Sequence, residues 1–252
     1  ILIDDCRYNN ELKIVCKKHK IKTLAYQHAR FNEYHYGNFI FPYDIYIVWS
    51  NYFKNFLNQF RKKNHSTSII VAGNQRTNFK YYKKDQKLKK SPGILILDEV
   101  LKVTNVENYL SNLPNNPVFF RGKFNNKNYR RVKEIFSYEI KDVTHMNLNE
   151  VFVLNNIRIV IGLESTVLLE APMFNSIGVV LDKGTKYGSH LLRDKLVCNI
   201  SNYKETKYKI EKLLSSRNNI INELESKVWA PFCKNHPSDA NLYKECLREY
   251  IL

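Results

Sequence analysis

Ile159-Val160-Ile161-Gly162-Leu163-Glu164-Ser165-Thr166-Val167-Leu168-Leu169-Glu170-Ala171 is the stretch that decides the fold. An unbroken apolar run rich in β-branched residues reads as a strand buried on both faces, the kind found in parallel sheets. Gly162 then reads as a turn, and Ser165 and Thr166 as the opening of a helix with apolar positions behind them. A helix start leaves backbone N–H groups unpaired, and its dipole favours an anion, so Ser165 and Thr166 are candidate phosphate-binding residues, with the preceding Gly162 and Glu164 as further candidates on the donor side. On the local pattern alone, the simpler reading of Ser165 is a plain N-cap. Glu170, behind three apolar residues, reads as the edge of the core or as a solvated helix position.

Outward from this stretch the chain alternates strand and helix. Towards the C-terminus, 165–174 is expected to be helical, 178–181 a strand, and the tail from Tyr203 helical with breaks at Pro231 and Pro237. Towards the N-terminus, strands are expected over 94–97, 118–120 and 158–161, with helices over 105–113, 126–136 and 148–154. The same alternation fills the first third: strands over 1–4, 22–26, 43–49 and 68–72, and helices over 10–20 and 51–62. Leu12, Val15 and Cys16 form the expected inward face of the first helix, and Phe53, Phe56, Leu57 and Phe60 that of the second. Repeated β-α-β units of this size imply mostly parallel sheets covered by helices.

Between the two alternations, Lys80, Lys83, Lys84, Lys87, Lys89 and Lys90 crowd a stretch that ends in Ser91-Pro92-Gly93. It reads as a solvated connector. The expected organisation is therefore a first domain over 1–87, a second over 88–225 and a helical tail over 226–252. The chain opens on Ile1, without a methionine, inside a strand-like run, which predicts that sequence precedes it and that the first domain is truncated.

Composition narrows the function classes. At 44% apolar and 13% aromatic residues the chain can build a core and is not of the disordered class. No apolar run is long enough to span a bilayer and no secretory signal opens the sequence, which predicts a cytoplasmic protein. The five scattered cysteines form no C-x-x-C pair and read as reduced thiols. Forty Lys and Arg against twenty-four acids give a formal charge of +16, suited to polyanions: nucleic acid, sugar diphosphates or the inner face of an anionic membrane. The basic residues are spread along the chain among many Asn, Ile and Tyr, a pattern that AT-rich coding would also produce. Neither an RNP-like aromatic motif nor a helix-turn-helix accompanies the charge, so no specific nucleic-acid partner is expected.

Other chemistries lack their motifs. The chain has no G-x-x-x-x-G-K-[ST], no G-x-G-x-x-G after a strand, no G-x-S-x-G and no histidine spacing for a metal, so no metal site is expected.

Strand, Gly, Ser-Thr, apolar run and Glu-Ala over 159–171 resembles the donor-phosphate segment of GT-B glycosyltransferases that build surface polysaccharides, among them the CDP-glycerol, polysialic acid and Kdo transferase-like groups. Leu24-Ala25-Tyr26-Gln27-His28-Ala29-Arg30 is similar to the Gln-His-Gly loop of their N-terminal domain, with Ala29 where Gly is common. Ile69-Ile70-Val71-Ala72-Gly73-Asn74-Gln75-Arg76 resembles their run before the interdomain linker. The resemblance spans roughly residues 1–200. One departure stands out: Phe119-Phe120-Arg121-Gly122-Lys123-Phe124 lies where many of these enzymes have Lys-x-His-Pro, which puts a CMP-sugar donor in doubt.

This resemblance implies a GT-B-like α/β fold of two Rossmann-type domains with parallel sheets. It implies transfer of a sugar or polyol phosphate from a nucleotide-sugar to a glycan or lipid-linked glycan acceptor, with no cofactor. Ser165, Thr166 and Glu170 map to the donor side. Arg121 and Lys123 add charge for the donor phosphates, and Arg30 and Arg76 are candidate acceptor or phosphate contacts. Asp4, Asp5 and His28, at strand ends, are candidate bases for the acceptor hydroxyl, and Asp44 is a weaker one. Asp98 and Glu99, after the strand over 94–97, fit either a contact to the donor's sugar or ribose or a turn role. Two alternatives stay open: a sugar-nucleotide epimerase of the same fold, and a polyanion-binding α/β protein.

Overall fold

The computed structural model describes residues 2–4, 9–27, 43–60, 67–74, 91–123, 126–231, 245 and 248. The chain divides into two units, one of Ile1–Thr77 with Ser226–Leu252 and one of Asn78–Glu225. The expected boundary at 87/88 lies outside the described residues.

In the first unit four parallel strands follow one another in chain order: β1 (Leu2–Asp4), β2 (Leu24–Tyr26), β3 (Ile45–Val48) and β4 (Ser68–Val71). The register pairs Leu24 with Ile45 and Ile45 with Ser68. All four residues of β3 are buried, as an inner strand between two helix layers requires. Helix α1 (Asn9–Lys18) precedes β2 and α2 (Asn51–Phe60) follows β3. As expected from the i, i+3, i+4 spacing, α2 buries Phe53, Phe56 and Leu57.

Helix α1 departs from expectation. Cys16 is buried, but Leu12 and Val15 are 39% and 51% exposed and Lys13 is buried in their place. The contact face runs through positions 13 and 16, one turn apart. The lysine is tolerated because its ammonium sits 4.2 Å above the Tyr43 ring centroid, where the ring quadrupole offsets part of its lost hydration.

The second unit holds a six-stranded, all-parallel sheet: β5 (Gly93–Leu97), β6 (Val118–Arg121), β7 (Lys141–Asp142), β8 (Ile157–Gly162), β9 (Ile177–Leu181) and β10 (Cys198–Ile200), in spatial order β10-β9-β8-β5-β6-β7. Counted within the unit, that is the order of a doubly wound dinucleotide-binding sheet. β5 and β9 are buried throughout, and β8 at every position except Arg158. Around the sheet lie α3 (Val106–Ser111), α4 (Asn126–Ile135), α5 (Leu148–Leu154), α6 (Val167–Glu170), α7 (Ser189–Arg193), α8 (Thr206–Ser215) and α9 (Arg217–Trp229). Ile94, Ile96, Phe120, Ile159, Ile161, Val179 and Ile210 share one core.

The helix expected over 165–174 is shorter. Its α part, α6, gives way to a 3-10 turn over Ala171–Phe174 and stops at Asn175 with φ 57°. Pro172 explains the change, since it has no N–H to continue the i→i−4 ladder. Helix α9 straddles the boundary between the units. Within the first unit, Trp229, the last residue of α9, stacks on Trp49 with ring centroids 5.7 Å apart, and the Ala230 carbonyl accepts the N–H of Asn51 at the start of α2.

Candidate functional site

In the six-stranded sheet the chain runs from β5 outward through β6 and β7, then returns to lay β8 on the other side of β5. The segments leaving the carboxyl ends of β5 and β8 therefore diverge, and in open α/β sheets ligands bind in the crevice so formed. Asp98 and Glu99 follow β5, and Leu163–Thr166 follow β8. Arg121–Lys123 and Asp182–Thr185 flank them, at the ends of β6 and β9.

The turn after β8 is held from the neighbouring strand end. Glu99, 6% exposed on the 3-10 segment Asp98–Lys102, accepts three backbone N–H groups on one carboxylate oxygen: Leu163 at 2.6 Å, Glu164 at 2.9 Å and Ser165 at 2.9 Å. Of the two roles the sequence left open for Glu99, the turn role is the one present. Gly162 is what admits the carboxylate, since a Cβ there would stand 2.7 Å from Glu99 Oε1 and 3.0 Å from Leu97 Cδ1. Ser165 Oγ accepts the Val167 N–H at 3.3 Å, and the carbonyls of Ser165 and Thr166 accept from Leu168 and from Leu169 and Glu170. Thr166 stands at the N-cap of the short α6 and Ser165 one position before it, its Oγ holding the first helical N–H; both are half-buried, and Glu170 is buried at the last position.

Glu164 bridges two further loops. One oxygen pairs with Lys102 Nζ at 2.9 Å and the other accepts the Thr185 hydroxyl at 2.7 Å, while Thr185 Oγ1 accepts the Gly188 N–H. Gly188 packs so closely on the Leu163 carbonyl that any Cβ would collide with it. The hydrogen bond to Glu164 holds the Lys102 pKa above the ordinary lysine value, against a smaller opposing effect of burial.

On the other side of β5, Asp98 Oδ2 accepts the Lys123 N–H at 3.0 Å, and the Lys123 side chain is exposed. Arg121 donates through one terminal nitrogen to the carbonyls of Met146, at 2.7 Å, and Val143, at 3.3 Å. Burial lowers its pKa from the usual guanidinium value. The segment Asp98–Lys102 thereby ties together the loops after β6 and β8, and through Glu164 the loop after β9. A cavity of about 400 Å³ at the α8–α9 junction, lined by Leu214–Asn219, includes none of these residues.

The candidates in the first unit are placed less fully. Asp4 ends β1, whereas Asp5, His28, Arg30 and Arg76 lie outside the described residues. Gln27, next to His28, is fully buried: its N–H donates to the Ile47 carbonyl and its Oε1 accepts the Trp49 N–H at 2.9 Å. Asp44 lies at the amino ends of the strands, where Thr23 N and Oγ1 donate to its Oδ2 at 2.7 and 2.8 Å. It is a structural clamp, on the opposite edge from a ligand crevice. Among the described residues no three His, Cys, Asp or Glu side chains gather as metal ligands, and no helix is long and apolar enough to cross a membrane.

The clamp of Glu99, Lys102 and Thr185 around the β8 turn is what the sequence reading missed. Only the acids at the end of β5 and the Gly after β8 signal it, and the distance between them along the chain hides the pairing.

No protein-family profile matches the chain, and no curated protein matches it by sequence. Solved structures do match. The UDP-GlcNAc 2-epimerase from Neisseria meningitidis bound to UDP-GlcNAc superposes with a TM-score of 0.64 at 14% identity, covering 98% of this chain and 75% of the other. The Methanocaldococcus jannaschii UDP-GlcNAc 2-epimerase in complex with UDP-GlcNAc and UDP gives 0.57 at 16% identity, covering 98% and 74%. The wall teichoic acid polymerase TagF soaked with CDPG gives 0.54 at 13% identity, covering 90% and 67%. The chain is an α/β protein with parallel sheets and the GT-B-like fold that these enzymes share.

Proposed function

We propose that this chain binds a nucleotide-activated sugar and transfers the sugar, or a related polyol phosphate, to a cell-surface glycan or lipid-linked glycan acceptor, without a metal. The observation that carries this is the position of Ser165, Thr166 and the buried Glu170 beside the β5–β8 switch point of a doubly wound sheet, where nucleotides bind in such folds. Complexes of structural neighbours with UDP-GlcNAc, UDP and CDPG support a nucleotide-sugar ligand.

In this proposal the second unit is the donor side. The hydroxyls of Ser165 and Thr166 donate to a donor phosphate, Glu170 accepts from donor hydroxyls, and Lys123 with Arg121 offsets the phosphate charge. The first unit is the acceptor side, with Arg30 and Arg76 as anion contacts. For a sugar, the acceptor oxygen attacks the donor carbon and the carbon–phosphate-oxygen bond breaks; for a polyol phosphate, it attacks the phosphorus that carries the polyol and the bond from that phosphorus to the bridging oxygen breaks. In either case the acceptor proton goes to Asp5, Asp4 or His28 as the nucleotide leaves. A net charge of +16 suits an enzyme working at an anionic membrane that carries a lipid-linked acceptor.

A second reading, epimerisation of a sugar nucleotide, has its own observation: the matched structures from Neisseria meningitidis and Methanocaldococcus jannaschii are UDP-GlcNAc 2-epimerases. Both readings require the same donor site.

The deciding experiment is a thermal-shift screen of the chain against CMP, CDP, UDP, GDP and their sugars, beside a Ser165→Ala/Thr166→Ala variant. A nucleotide at a hundred times its Kd adds about 2.7 kcal/mol of stability. Stabilisation by one nucleotide, absent in the variant, is the expected result; no response to any of them overturns it. Incubation of the bound donor without acceptor then separates the two reactions, because only an epimerase changes it into its C2 epimer.

A further inference from the structure

The three amides of the β8 turn form the kind of concave N–H cluster that binds an anion, yet they already hold one. Glu99 Oε1 accepts all three at 2.6–2.9 Å, from a side chain only 6% exposed, through the gap that Gly162 leaves. We infer that Glu99 is a positioning residue: a built-in anion that occupies the turn's amides, so that a donor phosphate meets the hydroxyls of Ser165 and Thr166 and the neighbouring cations instead of the backbone nest. The inference rests on the proposed donor site for its consequence, but not for the role of Glu99 in the turn.

Several observations converge. The acceptor comes from the neighbouring strand end, so the turn is fixed relative to β5 as well as to β8. Asp98 on the same segment holds the loop after β6 through the Lys123 N–H, and Lys102 holds Glu164, which reaches the loop after β9 through Thr185. Four strand ends are thereby pinned by one five-residue segment, Asp98–Lys102. A phosphate drawn to the amides would have to displace a buried carboxylate and leave its charge uncompensated, which is costly. A phosphate at the hydroxyls leaves that carboxylate in place. Ser165 can serve it because Glu99 fixes the backbone of Ser165 itself. Pre-organisation of this kind lowers the ordering cost of binding.

The test is chemical rescue of the whole chain. Glu99→Ala removes the acceptor and opens a space the size of a small carboxylate. The melting temperature is measured in chloride, and then in formate or acetate at the same ionic strength. The expected result is a lower Tm that formate or acetate restores in Glu99→Ala and leaves unchanged in the wild type. A loss that no carboxylate restores would make Glu99 ordinary packing and overturn the inference.

If Glu99→Ala does not fold, Glu99→Gln decides. Its amide oxygen still accepts, so a nucleotide that stabilises the wild type should bind it within about threefold; where Glu99→Ala does fold, it should bind that nucleotide about tenfold more weakly, the value of one well-made hydrogen bond. Tighter nucleotide or phosphate binding by either variant would show that the amides are the phosphate site and Glu99 its competitor, which overturns the inference. Should no nucleotide bind the wild type, the donor-site proposal falls, while the formate experiment still decides what Glu99 does in the turn.

Discussion

Two strand-to-helix junctions in this molecule meet the same demand with different chemistry. After β3, the Trp49 N–H goes to Gln27 Oε1 and the Asn51 N–H to the Ala230 carbonyl, beneath Trp49 stacked on Trp229 and edge-on to Phe53. After β8, three N–H groups go to Glu99, and the surroundings are Glu164, Lys102 and Thr185 rather than rings. In both, an amide between the strand and the helix is satisfied by a side chain from the neighbouring strand end. The difference lies in charge. The Trp49 N–H, under tryptophans, is matched by a neutral amide, because a carboxylate buried among rings would lose its hydration. Three N–H groups sustain a carboxylate. The first junction is built as core and the second as a polar rim, which suits a ligand.

The largest effect is expected where the first junction is most core-like. Trp229 is fully buried, so Trp229→Ala should cost about 3–5 kcal/mol, as large-to-small changes of buried aromatics do. Chemical denaturation measures it. A loss below about 1 kcal/mol would mean that rings do not seal that junction and would remove the contrast.

At the second junction, Gly162→Ala puts a Cβ 2.7 Å from Glu99 Oε1. The carboxylate must move and its hydrogen bonds weaken, for about 2–3 kcal/mol. If the clash with Glu99 is the cause, the same substitution in a Glu99→Ala background should cost distinctly less, since contacting residues are not additive. Equal costs in both backgrounds would assign the strain to Leu97 instead.

A swap sharpens the comparison further. Gln27→Glu gives the first junction the acceptor of the second without its three donors. Burial with one N–H should raise the folded-state pKa of the new carboxyl above its unfolded value. The folded state then binds the proton more tightly, so stability should be nearly kept at acid pH and fall as pH rises through the unfolded pKa, by about 1–2 kcal/mol. Denaturation across pH 4 to 8 tests the sign, and a pH-independent loss would rule out titration as its source.

How far the sequence revealed this follows from the range of the interactions. The runs of β5, β8 and β9 are long, apolar and β-branched, so their burial was legible, as was the Phe53-Phe56-Leu57 face of α2. β7 escaped because Lys141 and Asp142 are both exposed on a two-residue edge strand, and β10 because Cys198–Ile200 is too short for a period. The face of α1 was misread since Lys13 is held by an aromatic ring thirty residues away. Around the candidate site, Gly162, Ser165 and Thr166 signalled a turn and helix start. The partner of the Leu163, Glu164 and Ser165 amides lies more than sixty residues earlier in the chain, and no local pattern records such a pairing.

The smallest expected effect concerns the outer tie of the second junction. Lys102 is 61% exposed and Glu164 19%, at 2.9 Å. Solvent screens such a pair, so Lys102→Met should cost at most about 0.5 kcal/mol at low salt. The Lys102 pKa is raised by its hydrogen bond to Glu164. Its contribution is therefore fully present below the ordinary lysine value of 10.5 and is lost only as pH rises through the folded value above it. Urea midpoints of the two proteins should differ slightly at neutral pH and low salt and coincide in strong salt. A difference that survives high salt would mean that Lys102 supports the turn through its apolar stem, and would bring the second junction closer in kind to the first.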